Sequence, residues 1–367
     1  MAKNKLKWHL LFCLIILNSS ILFQSYLFAE ESPYNLSRAY QFVEQMLKEQ
    51  KKVFEAGTPL ENRINSKLTS NDETVFYYIS ETKIYKKKLI SFKYKIDDLK
   101  VEEGKSSDKI LIKAYITREF DFGYEALNPI FGDHIELEVD KTELTKNTLN
   151  VRSTNQIDLS KAKIKHNDAK SKTDLNTYLK RAESSKKLSV TINSNNGSTV
   201  SNRACTNNCW NRIKAKNYAY YWAAGHGRNP KYGGFKYNCT NFVSQSLHEG
   251  GIAFQSNWYN KVVNGKRQYT YTFVNAYSLD RHLWNKKIAN DGRNKGKVQH
   301  ADVYFYDPHN SVGLKYPDGH ADHAAIVTGF LSGGRVLVSY NSNDRRNVSY
   351  TFYRDVEGGA MWRYHIK

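Results

Sequence analysis

The stretch Tyr237-Asn238-Cys239-Thr240-Asn241-Phe242-Val243-Ser244-Gln245-Ser246-Leu247-His248-Glu249-Gly250-Gly251 puts a thiol where a helix would begin. Turn formers Asn229-Pro230 and Gly233-Gly234 precede it, and Gly250-Gly251 supplies a helix stop. Between them Phe242, Val243, Ser246 and Leu247 share one helical face, which would be buried. The unpaired N–H groups and the dipole at a helix start favour an anion, and the thiolate is the nucleophilic form of cysteine. The competing reading of Cys239 is a small buried residue that only packs. A nucleophilic cysteine needs a base, and the base needs an orienting group. His323 opens the apolar run His323-Ala324-Ala325-Ile326-Val327, directly after the turn-rich Asp318-Gly319-His320-Ala321-Asp322, so it would border a loop surface. The next run ends at Tyr340-Asn341-Ser342-Asn343-Asp344. In an antiparallel pair with a tight turn, that end lies beside the start of its partner. Asn341, or less favourably Asp344, would then approach His323. Taken singly, His323 reads as a packed strand histidine and Asn341 as a turn residue. Taken with Cys239 in chain order, they read as nucleophile, base and orienter for acyl transfer.

These residues need a scaffold, and the sequence predicts an α+β one. Residues 203–367 carry the chemistry. An amphipathic helix is expected over residues 206–224, with Trp210, Ile213, Ala215, Tyr218, Ala219 and Trp222 and ended by Gly225 and Gly227. The Cys239 helix comes next. Residues 252–299 are rich in Tyr and Trp and read as loops around a short helix, Tyr277–Trp284. Strands are expected at Ala301–Tyr306, His323–Phe330, Arg335–Tyr340, Val348–Tyr353 and Met361–Ile366, with Gly333-Gly334 as a hairpin turn. Residues 30–155 read as a separate α+β domain, a helix followed by an antiparallel meander. The helix covers residues 34–56, with Tyr40, Val43, Met46, Leu47 and Phe54 as its stripe. The meander runs through Thr74–Ile79, Leu89–Tyr94, Lys109–Thr117, His134–Val139 and Thr148–Val151. Ile110, Ile112, Ala114 and Ile116 would share one strand face. No catalytic constellation appears in this part. Residues 156–202 are dominated by Lys, Ser, Asn, Asp and Thr and read as a polar linker holding a helix near Asp174–Lys187. Its Lys163, Lys165, Lys170 and Lys172 could touch an anionic polymer, although a solvated tether is the preferred reading.

The totals narrow the partners and the compartment. The chain has 367 residues and a net charge of +19. Residues 1–29 have a basic start (Lys3, Lys5, Lys7), apolar runs at Leu10–Leu17 and Ile21–Phe28, and Ala29 before Glu30-Glu31. They read as a secretory signal peptide. Its removal costs three lysines, taking the charge from +19 to +16. The mature chain would be secreted or associated with the cell envelope, and no remaining stretch is long and apolar enough to span a membrane. A charge of this sign favours anionic wall polymers, lipid or nucleic acid. No zinc-finger spacing or phosphate-binding glycine loop supports nucleic acid. Cys13 leaves with the signal, so Cys205, Cys209 and Cys239 remain. Cys205 and Cys209 are close enough for a disulfide on one turn, which leaves Cys239 free.

Residues 203–367 resemble the putative amidase domain family of secreted bacterial proteins, itself similar to the papain-like NlpC-type and CHAP hydrolases. Asn238-Cys239-Thr240-Asn241-Phe242-Val243-Ser244-Gln245, Gly250-Gly251-Ile252, Asp322-His323-Ala324-Ala325-Ile326-Val327 and Tyr340-Asn341-Ser342-Asn343-Asp344-Arg345-Arg346-Asn347 carry the resemblance. Tyr218-Ala219 and Asn229-Pro230-Lys231-Tyr232 also fit. The resemblance implies a papain-like domain with the cysteine at a helix N-terminus packed on an antiparallel sheet. It implies that Cys239 is the nucleophile and His323 the base, and that no cofactor takes part. The substrate class it implies is peptide or amide bonds of the cell wall. Three positions differ from the family pattern. Asn238 stands where Asp is usual, Ala301-Asp302 where Gly-Asp is usual, and Asn341-Ser342 where a His-Thr run is usual. Asn can orient an imidazole, as it does in cysteine proteases.

Two other readings compete. A metal site could be built from His320, Asp322 and His323, with His309, although this spacing on a loop suits a metal poorly. A non-catalytic envelope-binding module, in which the papain-like domain is degenerate, would use the tyrosine-rich loops as its contact surface.

Overall fold

The computed structural model describes residues 36–56, 73–124, 127–145, 163–166, 173–187, 210–285, 288–289, 293–308 and 317–367. The signal segment, the Thr148–Val151 run, Cys205, Cys209 and His309 lie outside them. The helices, numbered as they come, are α1 Leu36–Glu55, α2 Glu73–Ile79, α3 Lys141–Thr145, α4 Leu175–Lys186, α5 Arg212–Trp222, α6 Cys239–Glu249, α7 Tyr271–Val274, α8 Ala276–Asn285 and α9 Phe352–Glu357. The strands are β1 Ser91–Glu103, β2 Lys109–Asp121, β3 Ile130–Asp140, β4 Lys163–His166, β5 Asn260–Val263, β6 Lys266–Tyr269, β7 Val303–Asp307, β8 His323–Leu331, β9 Arg335–Tyr340, β10 Asp344–Ser349 and β11 Ala360–Tyr364. The chain is α+β, as expected.

Among the described residues nine strands make one antiparallel sheet in the order β1-β2-β3-β10-β9-β8-β7-β11, with β4 on β3. Helices cover both faces. On one face α1 packs on Ile110, Ile112, Ala114 and Ile116 of β2, all buried and in the predicted alternation. The stripe of α1 is also as predicted, except that Tyr40 points to solvent. Further along that face, α2, α4 and α9 cover Phe120, Phe131, Val338 and Tyr340. On the other face α5, α6 and α8 cover Val303, Phe305, Ala324 and Ile326.

The sheet crosses the boundary expected between separate domains. Strand β3 pairs with β10 at Asp344↔Gly132, Arg345↔Phe131 and Arg346↔Ile130. So short a seam needs reinforcement from side chains. Arg345 supplies it: fully buried, it donates to Glu73 Oε2 at 2.8 Å, to Asp133 Oδ1 at 2.8 Å and to the Gly132 carbonyl at 3.1 Å. Arg118 binds the other oxygen of Asp133 at 2.5 Å. Gly132 is required where it stands, because a Cβ there would lie 2.0 Å from the Tyr115 hydroxyl, which crosses above it to bond Asp344.

The segment read as a linker also joins the body. Strand β4 extends the sheet, and α4, capped by Asp174 through the Thr177 N–H, buries Tyr178 and Ala182. Polar composition concealed this, since two or three apolar positions in three turns suffice once a partner surface exists. Three further expectations are corrected. Thr74–Ile79 is helical rather than a strand, because all seven residues of α2 are buried. Its Phe76, Tyr77 and Tyr78 face Tyr178, Phe131 and Phe54 respectively, which a helix enclosed on all sides allows. The strand expected at Val348–Tyr353 runs instead from Asp344 to Ser349 and gives way to α9 at Phe352, so Tyr353 sits on a helix. Within residues 252–299 lies a hairpin, β5–β6, turned by Asn264 and Gly265 at φ 50° and 72°.

Replacing Arg345 by Ala takes the buried cation away from Glu73 and leaves Asp133 to Arg118. The expected cost is about 3–5 kcal/mol, read as a lower urea midpoint with unfolding still in one transition.

Candidate active site

Helix α6 begins at Cys239, and Asn238 is its N-cap residue. All residues from Cys239 to Leu247 are buried, so this helix is held on every side. Its start is fixed by a chain of asparagine amides. Asn238 Nδ2 donates to Asn341 Oδ1 at 2.8 Å, Asn241 Nδ2 to Asn238 Oδ1 at 2.9 Å, and Asn260 Nδ2 to Asn241 Oδ1 at 3.1 Å. Arg267 closes the chain on Asn260 Oδ1 at 3.1 Å. At the other end Asn341 Nδ2 donates to the carbonyls of Ala223 at 2.9 Å and Trp222 at 3.3 Å, satisfying the end of α5. The Asn238 N–H donates to Ser342 Oγ at 2.9 Å.

The sulfur of Cys239 lies against the start of β8. Burial pushes its pKa up, while the N–H groups of Ala324 and Thr240 and the hydroxyls of Thr240 and Ser342 act the other way. Thr240 Oγ1 is 3.7 Å from Sγ. Ser342 has φ of 92°, a conformation that a non-glycine residue adopts only under constraint, and it stands beside the thiol. Among these groups the sulfur can hold negative charge, but it is a thiol at rest.

His323 is the neighbour of Ala324 and belongs to the opposite sheet face. Its ring stacks on Tyr353 at 4.1 Å and 8°, and meets Tyr340 edge-on at 4.7 Å. Burial pushes its pKa down to about 3, so it is neutral. Its Nε2 is buried without a hydrogen-bond partner. Burial raises the Tyr353 phenol, with the charges of Glu357 and Cys239 adding to it. Glu357, one turn further along α9, is raised to about 7 by burial and by the nearby Glu73. The Glu73 carboxylate, from the first half of the chain, therefore acts on Tyr353 and Glu357 beside His323.

The structure brings Cys239, His323 and Asn341 to one end of the sheet but does not link them as expected. No hydrogen bond joins Cys239 to His323. Asn341 does not orient the imidazole: register places it across from Ala324, whose side chain faces away from that of His323, and its amide is committed to Asn238 and α5. Tyr353 holds the ring instead. Asp344, the other orienter considered, is bonded to Arg228 at 2.5 Å and to Tyr115 at 3.0 Å. His320 leans on Tyr277 at 4.2 Å and on Asp318, and the described residues contain no cluster of three metal-ligating side chains. Gln245 accepts from the Tyr218 hydroxyl at 2.7 Å. The Ala301-Asp302 pair has a structural role. Ala301 adopts φ of 61°, where glycine would be unstrained, and Asp302 accepts from Arg212 and Arg363 at 2.9 and 2.6 Å. Tyr353, Ser342 and Thr240 were not singled out from sequence. Only the unusual backbone at Ser342 marks its place, and that is a three-dimensional signal.

The family described as Putative amidase domain matches residues 209–364, which include Cys239, His323 and Asn341. An uncharacterized protein of Bacillus subtilis (strain 168), YjcM, is 32% identical over 373 aligned positions, 88% of each chain. The chain belongs to the putative amidase domain family. A second uncharacterized protein of that strain, YhbB, is 31% identical over 156 positions, covering 40% of this chain and 45% of that protein. No solved structure gives a significant match. The likeness to YjcM spans 88% of this chain, so the relationship is not confined to residues 209–364. Among the described residues no helix is long and apolar enough to cross a membrane.

The raised thiol pKa has a measurable sign. At pH 7–8 less of Cys239 is thiolate than of an exposed cysteine, so iodoacetamide alkylates the folded chain more slowly than the urea-unfolded chain. The rate climbs as pH rises beyond the ordinary cysteine range near 8.5. Rapid labelling of the folded protein at pH 6 would contradict this account of the site.

Proposed function

We propose that this member of the amidase family is a cysteine-dependent amide hydrolase in a papain-like arrangement, in which Cys239 attacks a carbonyl and His323 carries the proton. The observation that carries this reading is the surroundings of the sulfur. Thr240 Oγ1 lies 3.7 Å from Sγ, and the N–H groups of Ala324 and Thr240 and the Ser342 hydroxyl favour charge there, at the start of a fully buried helix and beside Ala324, the chain neighbour of a neutral imidazole with a buried, unpartnered nitrogen. A residue that merely packs needs none of these groups.

The chemistry starts from a neutral pair. Desolvation keeps Cys239 a thiol and His323 uncharged. The imidazole accepts the thiol proton as sulfur bonds to the carbonyl carbon, and the oxyanion gathers at main-chain N–H groups at the start of α6. The imidazolium gives its proton to the departing amine. Water, deprotonated by the same imidazole, then releases the acyl group and restores the thiol. His323 must turn a nitrogen toward sulfur for this, out of its stack on Tyr353. Asn341 acts at one remove, by holding Asn238 and hence the helix start.

The signal-like first 29 residues and the net charge of +19 support export and a substrate among the amide or peptide bonds of the cell wall. The rival reading, an envelope-binding module with a disabled thiol, rests on one observation: Cys239 and His323 are only 5% and 4% exposed and share no hydrogen bond.

The two readings part on turnover. With purified wall as substrate and free amine as the readout, Cys239→Ala reduces release by more than about a thousandfold, and His323→Gln by about a hundredfold or more. Wall binding survives in both variants. Wall binding by the wild type with no amine release beyond that of Cys239→Ala would leave the binding module as the account.

A further inference from the structure

Two clefts open on the side of the molecule covered by α4 and α9. One, of about 320 Å³, is lined by Lys87, Lys186 and Arg335 together with the hydroxyls of Tyr85, Ser349 and Thr351. The other, of about 500 Å³, is lined by Lys180, Arg181 and Arg354. Ser185 lines both. Among the described residues the only carboxylate in either lining is Asp355, which is bound to Arg354 at 3.0 Å and to Ser185 at 2.6 Å. Glu81, behind the first cleft, is paired with Arg335 at 2.5 Å.

High net charge alone does not produce this lining. A third cleft, of about 400 Å³, carries Lys95 and Arg228 against Asp97, Asp98 and Asp344. Cations are therefore gathered on the α4 side. They are also held in place. Lys186 Nζ donates to the Ile84 carbonyl at 2.8 Å, and Arg181 to the Val356 carbonyl at 3.1 Å at the end of α9. Lys180 of the second cleft and Lys186 of the first lie about 9 Å apart along α4, and Ser185 lines both, so the positive charge is spread along adjoining clefts rather than held at a point.

We propose that this pair of clefts binds a linear phosphodiester polyanion, specifically a polyol-phosphate chain rather than a nucleic acid. Repeated phosphates match a row of fixed cations with flanking hydroxyls. Nucleic-acid strands add base stacking on open aromatic faces. Here the candidate rings are occupied. Arg335 lies over Tyr85 at 4.0 Å and over Tyr124 at 5.3 Å, and Lys87 covers Tyr124 at 5.3 Å. The clefts reach α9, the helix whose Tyr353 stacks on His323. A polymer lying in them would hold the candidate active site close to the material to which the polymer is attached. This deepens the wall part of the proposed function and does not depend on the thiol chemistry.

The test uses the full chain and a labelled poly(glycerol phosphate) chain as probe, followed by fluorescence anisotropy over a salt series. The triple variant Lys87→Gln, Lys180→Gln, Lys186→Gln weakens binding by about tenfold or more at ~0.1 M salt and lowers the log–log salt slope by about two. A triple variant of equal charge loss on other elements, Lys214→Gln, Lys261→Gln, Lys266→Gln, changes affinity less than about twofold. Cys239→Ala binds as the wild type does, so a failure of the hydrolase reading leaves this result standing. Equal losses in the two triples would overturn the proposal, as would oligothymidylate binding as tightly with the same losses, or no binding by the wild type.

Discussion

The geometry around the thiol depends on the run of buried amides from Asn341 through Asn238 and Asn241 to Asn260. Each amide gives a donor to one neighbour and an acceptor to the other. All four residues are almost wholly inaccessible. A buried amide left without its partner costs about 1–3 kcal/mol, so the chain is stable only when complete, and it admits one relative placement of the elements it joins. Those elements are the α6 start, the Asn341–Asn343 turn, the end of α5 and the β5–β6 hairpin. Cys239 inherits its position from them. Asn238 and Asn341 are hydrogen-bonded to each other, and a carboxylate at 238 would face the amide oxygen of Asn341.

The electrostatics of the site follow from competition between burial and the helix start. A helix dipole contributes about 0.3–1 kcal/mol to a nearby anion, whereas taking a charge out of water costs several kcal/mol. Burial prevails at both groups, raising the thiol and lowering the imidazole. Both groups are therefore neutral at rest, and under the proposed chemistry the N–H groups and hydroxyls around sulfur would meet charge only as it develops. Stabilisation that appears in the transition state and not before is the kind that accelerates a reaction.

The sequence revealed much of this arrangement and left identifiable parts hidden. The Cys239 helix, the His323 strand and the Asn341 turn were legible because each is bracketed by turn residues and has a clear period. The strand β2 was legible for the same reason. The α2 segment was not, since a continuous aromatic run has no period and only its burial decides that it coils. The role of Asn341 was misread because strand register is a two-residue code. Adjacency at a strand end is readable from turn length, but which face a side chain takes depends on the pairing itself. Tyr353 could not be found from sequence, since its stacking on His323 joins a helix to a strand of another part of the sheet. The joining of the two halves depends on Arg345 and three paired residues, which leave no mark in composition.

The continuous sheet gives the first half of the chain a part in the site, because Glu73 holds Arg345 and Asn343 beside the turn that carries Asn341 and Ser342. The central claim remains that Cys239 becomes acylated. The direct test is intact-mass spectrometry of the full chain, quenched in acid during reaction with a peptide p-nitrophenyl ester, followed by peptide mapping. The account predicts one acyl group per chain, located on Cys239, that forms on the folded wild type, decays in time and is absent from Cys239→Ala. Ester cleavage with no covalent adduct, or an adduct that persists in Cys239→Ala, would contradict it.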